Sequence, residues 1–310
     1  MTPRRSPALV VALAALCAFA GCGLGPGPAP KGVRLTVTRD FGARVLHGAR
    51  APSVVGQETV MSLLQRNATV STRYGGGFVQ SIDGLSEGVK GGEARDWFYY
   101  VNGVQAPRGA ADTNVHAGDR VWWDLHDWSQ TETVPAVVGS FPEPFLAGIE
   151  GKRYPVRVEC PDPTVSACRT VLDRLRALGV PAALAATSGG EGSLTLRMLV
   201  GPYSAIDADP AARGIGGGPR SSGVYARFSS DGRTLALLDA AGRIVRTLGA
   251  HAGLVAATRN GEDAPVWVVT GTDVAGVGLA ANALGEQSLR NHFALALGGA
   301  GVAVPLPVER

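Results

Sequence analysis

The chain is 310 residues long, 45% hydrophobic and 18% charged. These are the proportions of a globular protein of about two domains, and they set aside fibrous, collagen-like and fully disordered readings. Its formal charge is +3, and without Arg4 and Arg5, the only charges in the first 21 residues, 27 basic side chains face 26 acidic ones, too even a balance for a general nucleic-acid binder.

The N-terminus reads as an export signal. Arg4 and Arg5 precede an apolar stretch from Ala8 to Ala20 that spans only about 20 Å as a helix, too short to cross a membrane. It ends in Phe19-Ala20-Gly21-Cys22, which resembles the bacterial lipobox. Residues 1–21 are therefore expected to be a lipoprotein signal peptide, with Cys22 carrying diacylglycerol and palmitate and holding the chain on the outer face of the cytoplasmic membrane. An ordinary signal peptide with an incidental cysteine is the alternative. Residues 22–32, rich in proline and glycine, read as a tether.

From Val33 the alternation of Val33, Leu35 and Val37 predicts a strand, with Phe41 to Leu46 returning as its hairpin partner. Val60, Leu63 and Leu64 are spaced as on a helix. Further strands are predicted over Phe78 to Ile82, over Trp97 to Val101 closed by an Asn102-Gly103 turn, and over Arg120 to His126 after Gly118-Asp119. Two strands, a helix and more strands ending in a last edge strand describe a β-grasp over residues 33–135. Prolines 135, 142 and 144 place a linker at 136–152. Residues 153–310 read as a second, mixed α+β domain: strands Tyr154–Glu159, Leu194–Val200, Val224–Phe228, Thr234–Asp239, Arg243–Leu248 and Val266–Thr270, with helices Thr164–Leu178 and Asp273–Leu284. Gly214 to Gly218 reads as a flexible loop. The overall fold class is thus α+β.

Cys160 and Cys168, an even pair in an exported chain, are expected to form a structural disulfide. No CxxC and no neighbouring histidine supports a redox or metal role, and no metal site is expected. Four of the five tryptophans fall between positions 97 and 128, beside Phe98, Tyr99 and Tyr100. Alternation puts Val121, Trp123 and Leu125 on one face, and Arg120, Trp122, Asp124 and His126 on the other. A small core holds one such set. The other is expected to be an exposed binding surface, with ordinary cross-strand packing as the competing account. The candidate ligand-contacting residues are Phe78, Tyr100, Asn102, Trp122, Asp124, His126 and Trp128. His126 beside Asp124 reads either as a metal-ligating imidazole or as a histidine bonded to its neighbouring acid. Thr270-Gly271-Thr272-Asp273 reads as an anion-holding turn or a helix N-cap.

The segments Thr59-Val60-Met61-Ser62-Leu63-Leu64, Gly76 to Leu85, Trp97 to Gly103 and Gly118 to Trp123 make residues 33–135 similar to an uncharacterised bacterial domain that resembles the C-terminal β-grasp domain of transcobalamin and intrinsic factor. The resemblance implies a face turned toward a corrinoid, without the α/α-barrel that completes the site in those proteins. No GxSxG, SxxK or HExxH motif and no paired catalytic carboxylates are present. The expectation is a non-catalytic binding lipoprotein that captures a small ligand, such as a corrinoid, for a membrane importer. A cell-envelope interaction protein that binds another protein or cell-wall glycan is the alternative.

Overall fold

The computed structural model describes residues 32–51, 54–73, 77–187 and 194–309. Cys22, the signal segment and most of the tether lie outside the described residues. The architecture is mixed α+β, with four sheets and short helices.

The N-terminal part contains β1 (Val33–Arg39), β2 (Arg44–Ala51), α1 (Val60–Asn67), β3 (Val70–Arg73), β4 (Phe78–Ile82), β5 (Leu85–Ser86), β6 (Gly88–Lys90), β7 (Glu93–Val101), β8 (Val104–Gln105) and β9 (Arg120–Asp127). One sheet has the order β2-β1-β9-β7-β6, with β8 on β7, and β3-β4-β5 form a second. β1 and β9 run parallel, while β1–β2 and β7–β9 are antiparallel. The strand expected at the edge, β9, is therefore central. It is hydrogen-bonded on both sides and buried along nearly its whole length, so apolar side chains suit both its faces. Thr59 caps α1, its hydroxyl accepting from the Ser62 N–H. Val60, Leu63 and Leu64 pack on Val33, Leu35, Trp97, Tyr99, Val121, Trp123 and Leu125. The hairpin partner of β1 begins only at Arg44, because Asp40, Phe41 and Gly42 all take positive φ and form the turn.

The C-terminal part contains β10 (Val156–Glu159), α2 (Ser166–Ala177), β11 (Ala182–Ala185), β12 (Leu196–Pro202), α3 (Tyr203–Ile206), α4 (Pro210–Gly217), α5 (Pro219–Ser222), β13 (Ala226–Phe228), β14 (Leu235–Leu238), β15 (Ile244–Leu248), β16 (Gly253–Thr258), β17 (Val266–Gly271), α6 (Val274–Ala283), α7 (Glu286–Leu289), β18 (Ala294–Leu297) and β19 (Ala303–Leu306). A seven-stranded sheet runs β11-β10-β12-β17-β16-β18-β19, and β13-β14-β15 form a smaller one. Residues alternate across the large sheet. Met198, Val200, Trp267 and Val269 face α2 and α6, whereas Leu199, Leu254 and Val268 face the small sheet and α4. Cys160 and Cys168 form the expected disulfide between the end of β10 and the start of α2. Asp273 is the N-cap of α6, accepting from the Gly276 and His251 N–H groups at 2.9 and 2.8 Å.

The glycine run at 214–218 is not a flexible loop, since all but its last residue belong to α4. Asp209 caps this helix and Pro210 takes its first position. The glycines answer to packing: a Cβ on Gly216 would lie 1.9 Å from the Tyr203 hydroxyl. The segment at 136–152 is likewise packed, with Val137, Val138, Phe141 and Phe145 buried and both phenylalanines resting on Trp267.

The aromatic face of the N-terminal sheet turns toward the C-terminal part rather than toward solvent. Tyr100, Trp122 and Phe41 share one core with Leu199, Tyr225, Leu254 and Phe293. Trp122 is 3% exposed and Trp123 2%. Both tryptophans are therefore structural, and we expect Trp122→Ala and Trp123→Ala each to lower unfolding free energy by about 3–5 kcal/mol. Chemical denaturation of the two variants measures this. A loss confined to Trp123→Ala would mean that the aromatic face does not pack as described.

Candidate functional site

Of the residues predicted to contact a ligand, Tyr100, Trp122, Asp124 and His126 do share one face, but that face is buried. The expectation of an exposed surface is corrected here, because the C-terminal part supplies the apolar cover. Phe293 meets Phe41, Tyr100, Trp122 and His126 edge-on, with ring centroids 5.2–5.6 Å apart. His126 stacks on Phe98 at 4.4 Å and lies 4.6 Å from Phe41. Asn102 is buried in a turn, donating to Asp119 Oδ1 and the Gly148 carbonyl and accepting from the Arg120 N–H. Phe78 and Trp128 remain partly exposed, outside the junction core.

Asp124 organises this junction. Its Oδ1 accepts from the Phe41 N–H at 3.0 Å and pairs with His126 Nδ1 at 2.8 Å. Its Oδ2 accepts from the Gly42 N–H at 2.8 Å and from the Thr38 hydroxyl. Trp122 Nε1 donates back to Thr38 Oγ1 at 2.7 Å. A buried carboxylate is tolerated only when its oxygens are satisfied in this way. Of the two readings of His126, the geometry shows the histidine bonded to its neighbouring acid. Gly42 has φ +85°, and a Cβ there would lie 1.9 Å from the Asn291 carbonyl oxygen, so the turn fits against the 290–293 segment only as glycine. The Tyr100 hydroxyl is buried without a hydrogen-bond partner, and burial pushes its pKa well up.

A cavity of about 420 Å³ lies where β1, β2 and β9 meet the 139–140 and 290–291 segments. Such a volume falls within the range of small-molecule pockets. Arg34 and Thr36 come from β1, Arg120 and Trp122 from β9, and Val45, His47 and Gly48 from β2. The parallel register sets Arg34 beside Arg120 and Thr36 beside Trp122. Arg290 and Asn291 form the opposite wall. Glu286 Oε1 accepts from Arg34 Nη1 at 2.6 Å and Arg120 Nη1 at 3.1 Å. Partial burial raises the Glu286 carboxyl, but the two guanidiniums outweigh it and hold the pKa at about 2. His47 Nε2 is buried without a partner. Alternation in β1 turns Arg34 and Thr36 away from Val33, Leu35 and Val37, and the pairing with β9 puts them on the face of Trp122. Nothing in the sequence placed His47 or Arg290 there.

A second cavity, of about 470 Å³, lies within the C-terminal part and has Arg197 in its lining. Arg197 donates to Glu159 at 2.8–3.2 Å and to Asp209. Burial works against its charge, and these carboxylates more than restore it. Its donors already serve the fold. Among the described residues no group of three or more His, Cys, Asp or Glu side chains is placed to hold a metal ion.

Residues 57–127 match a family described as "Domain of unknown function (DUF4430)". The match runs from just before α1 to the last residue of β9. A crystal structure of a "putative metal binding protein" from Ruminococcus gnavus ATCC 29149 is similar over 31% of this chain and 97% of that one, at 17% identity and a TM-score of 0.26. That likeness is too low to carry an argument about what this chain binds. No curated protein matches the chain.

Beside Arg120, Glu143 is 2% exposed, and its Oε2 accepts from the Leu146 and Ala147 N–H groups. Burial pushes its carboxyl up from 4.5 to about 7, against the pull of those bonds and of Arg120. A raised folded-state pKa means that the native state holds the proton longer. The associated stability is complete below pH 4.5, declines as pH rises and is gone above about pH 7, a change on the order of 3 kcal/mol. We expect Glu143→Gln to flatten this decline, raising the melting temperature relative to the parent at pH 8 more than at pH 4. Thermal melts across that range check it, and an equal effect at both pH values would refute the assignment.

Proposed function

We propose that this chain is an exported, lipid-anchored protein that binds a small ligand without performing chemistry on it, in the groove between its two parts. The observation that carries the reading is the groove itself. It lies at the junction of the two parts, and it is lined by side chains whose hydrogen-bonding capacity the fold does not use up, notably Arg290 and His47 Nε2. The N-terminal part is read as a β-grasp, supported by its β2-β1-β9-β7 order with parallel central strands and one covering helix. Residues 153–310 are read as the second domain, with 136–152 as the packed join. The resemblance to transcobalamin would put a corrinoid on the strand face. With that face covered, the reading moves the ligand to the groove and leaves the importer as the recipient. The alternative role in the cell envelope draws on two exposed strands, β2 with Val45 and Leu46 and β15 with Ile244 and Val245, which suit contact with another protein.

Gly48 offers a clean test, since a Cβ there meets only the Leu35 carbonyl oxygen, at 3.9 Å. Gly48→Trp should fill the groove, keep the melting temperature close to the parent's and abolish retention of the small molecule that co-purifies from membrane extract. Mass spectrometry of the released material reads this, and absorbance reports whether a corrinoid is the molecule. Retention by Gly48→Trp equal to the parent's would refute the groove. For the anchor, Cys22→Ala should shed the protein into the medium or leave its signal segment attached. Unchanged membrane fractionation and unchanged labelling by a palmitate analogue would refute lipidation.

A further inference from the structure

The charge around the groove is out of proportion to the rest of the chain. Past residue 21 the basic side chains exceed the acidic by one. Around this one groove stand Arg34, Arg120 and Arg290, and none of the lining residues is acidic. The nearby counter-charge is Glu286, whose single oxygen Oε1 serves both Arg34 and Arg120. Each guanidinium carries five N–H donors. Arg34 spends one on Glu286, and Arg120 spends one nitrogen on Glu286 and the Phe141 carbonyl. Arg290 makes no ion pair among the described residues. Of the buried carboxyls close to Arg120, Glu143 keeps its proton up to about neutral pH and Asp119 is bonded to Asn102 and the His116 N–H. The second cavity differs in kind, because Asp209 and Asp263 line it beside Arg197 and Arg259.

Three guanidiniums around the groove share a single paired carboxylate, Glu286, and Trp122 and the join partly shelter them from water. In such a setting Arg is suited to planar, bidentate capture of oxyanions. Glu286 then has a second meaning, as a built-in carboxylate that already occupies part of the place an external one would take.

Resting on the groove reading above, we propose that the ligand is a small anion carrying carboxylate or phosphate groups. It is held by Arg290 and His47 and by the donors of Arg34 and Arg120, with Glu286 competing for the same guanidiniums. Val45 and the edge of Trp122 supply the apolar contact for the rest of the molecule.

The test uses the full chain without its signal segment, titrated at low salt with citrate in one arm and inorganic phosphate in the other. Binding is read by calorimetry and by the amide shifts of Gly48, Gly139 and Asn291. At least one anion should bind and move those amides, and the tighter arm identifies the source of the oxyanion. Arg290→Gln should weaken binding about tenfold and Glu286→Gln should tighten it severalfold. Arg233→Gln, at a residue that does not line the groove, should leave it unchanged. Salt should weaken it throughout. If neither anion moves the groove amides, or if both variants bind as the parent does, the anionic class is wrong. The two failures are distinguishable: a neutral molecule retained from extract by the parent but not by Gly48→Trp would overturn the class and keep the groove, whereas retention by both would overturn the groove.

Discussion

The structure depends on one buried carboxylate. Asp124 is fully enclosed, and its oxygens gather two backbone N–H groups from the Phe41-Gly42 turn, the Thr38 hydroxyl and the His126 ring. Removing one partner from such a cluster typically costs several kcal/mol, because the remaining polar groups stay buried without a match. What the carboxylate achieves is conformational. It holds a turn of three successive positive φ values, two of them at non-glycine residues, and so aims the Phe41 ring at Tyr225 and Phe293. That ring is one of the contacts through which the N-terminal sheet and the C-terminal part meet, and the groove is one part of the seam that the meeting does not close.

Much of this was legible in the sequence where a single periodicity decides the outcome. Alternation placed β1, β4, β7 and β9 and sorted Trp122 from Trp123. The apolar spacing of Val60, Leu63 and Leu64 placed α1, and Asp273 opened α6. β16 was not legible: Leu254-Val255-Ala256-Ala257 is buried on both faces and has neither alternation nor a run of branched residues. Phe41 was read into the returning strand, but the distant Asp124 carboxylate holds it in the turn. The glycines of α4 look like a loop until Tyr203 and Ser221 are seen pressed against them.

The candidate site shows the same limit more sharply. The aromatic residues were correctly assigned to a common face, but whether that face is free depends on Phe293, which lies some 170 positions after Trp122 and has no motif around it. Composition can say that an apolar face needs a cover, since burying it is strongly favourable. It does not say whether the cover is a ligand, another protein or the remainder of the same chain. The groove residues were invisible for a related reason. Arg34 and Arg120 become neighbours through a parallel pairing of the first and last strands, and Arg290 joins them from the far end of the sequence.

Phe293 also sets an order of events in the growing chain. A polypeptide emerges from its N-terminus, and domains generally fold as they appear. Residues 33–127 are complete as a sheet and helix long before the segment bearing Phe293 has been made. Until then Tyr100, Trp122 and the Phe41 ring have nothing to rest on, and the Asp124 cluster is exposed to water on the side that Phe293 later closes. A copy truncated before that segment would present an uncovered aromatic sheet. The N-terminal part has its own sheet and covering helix but lacks the surface of an independent unit.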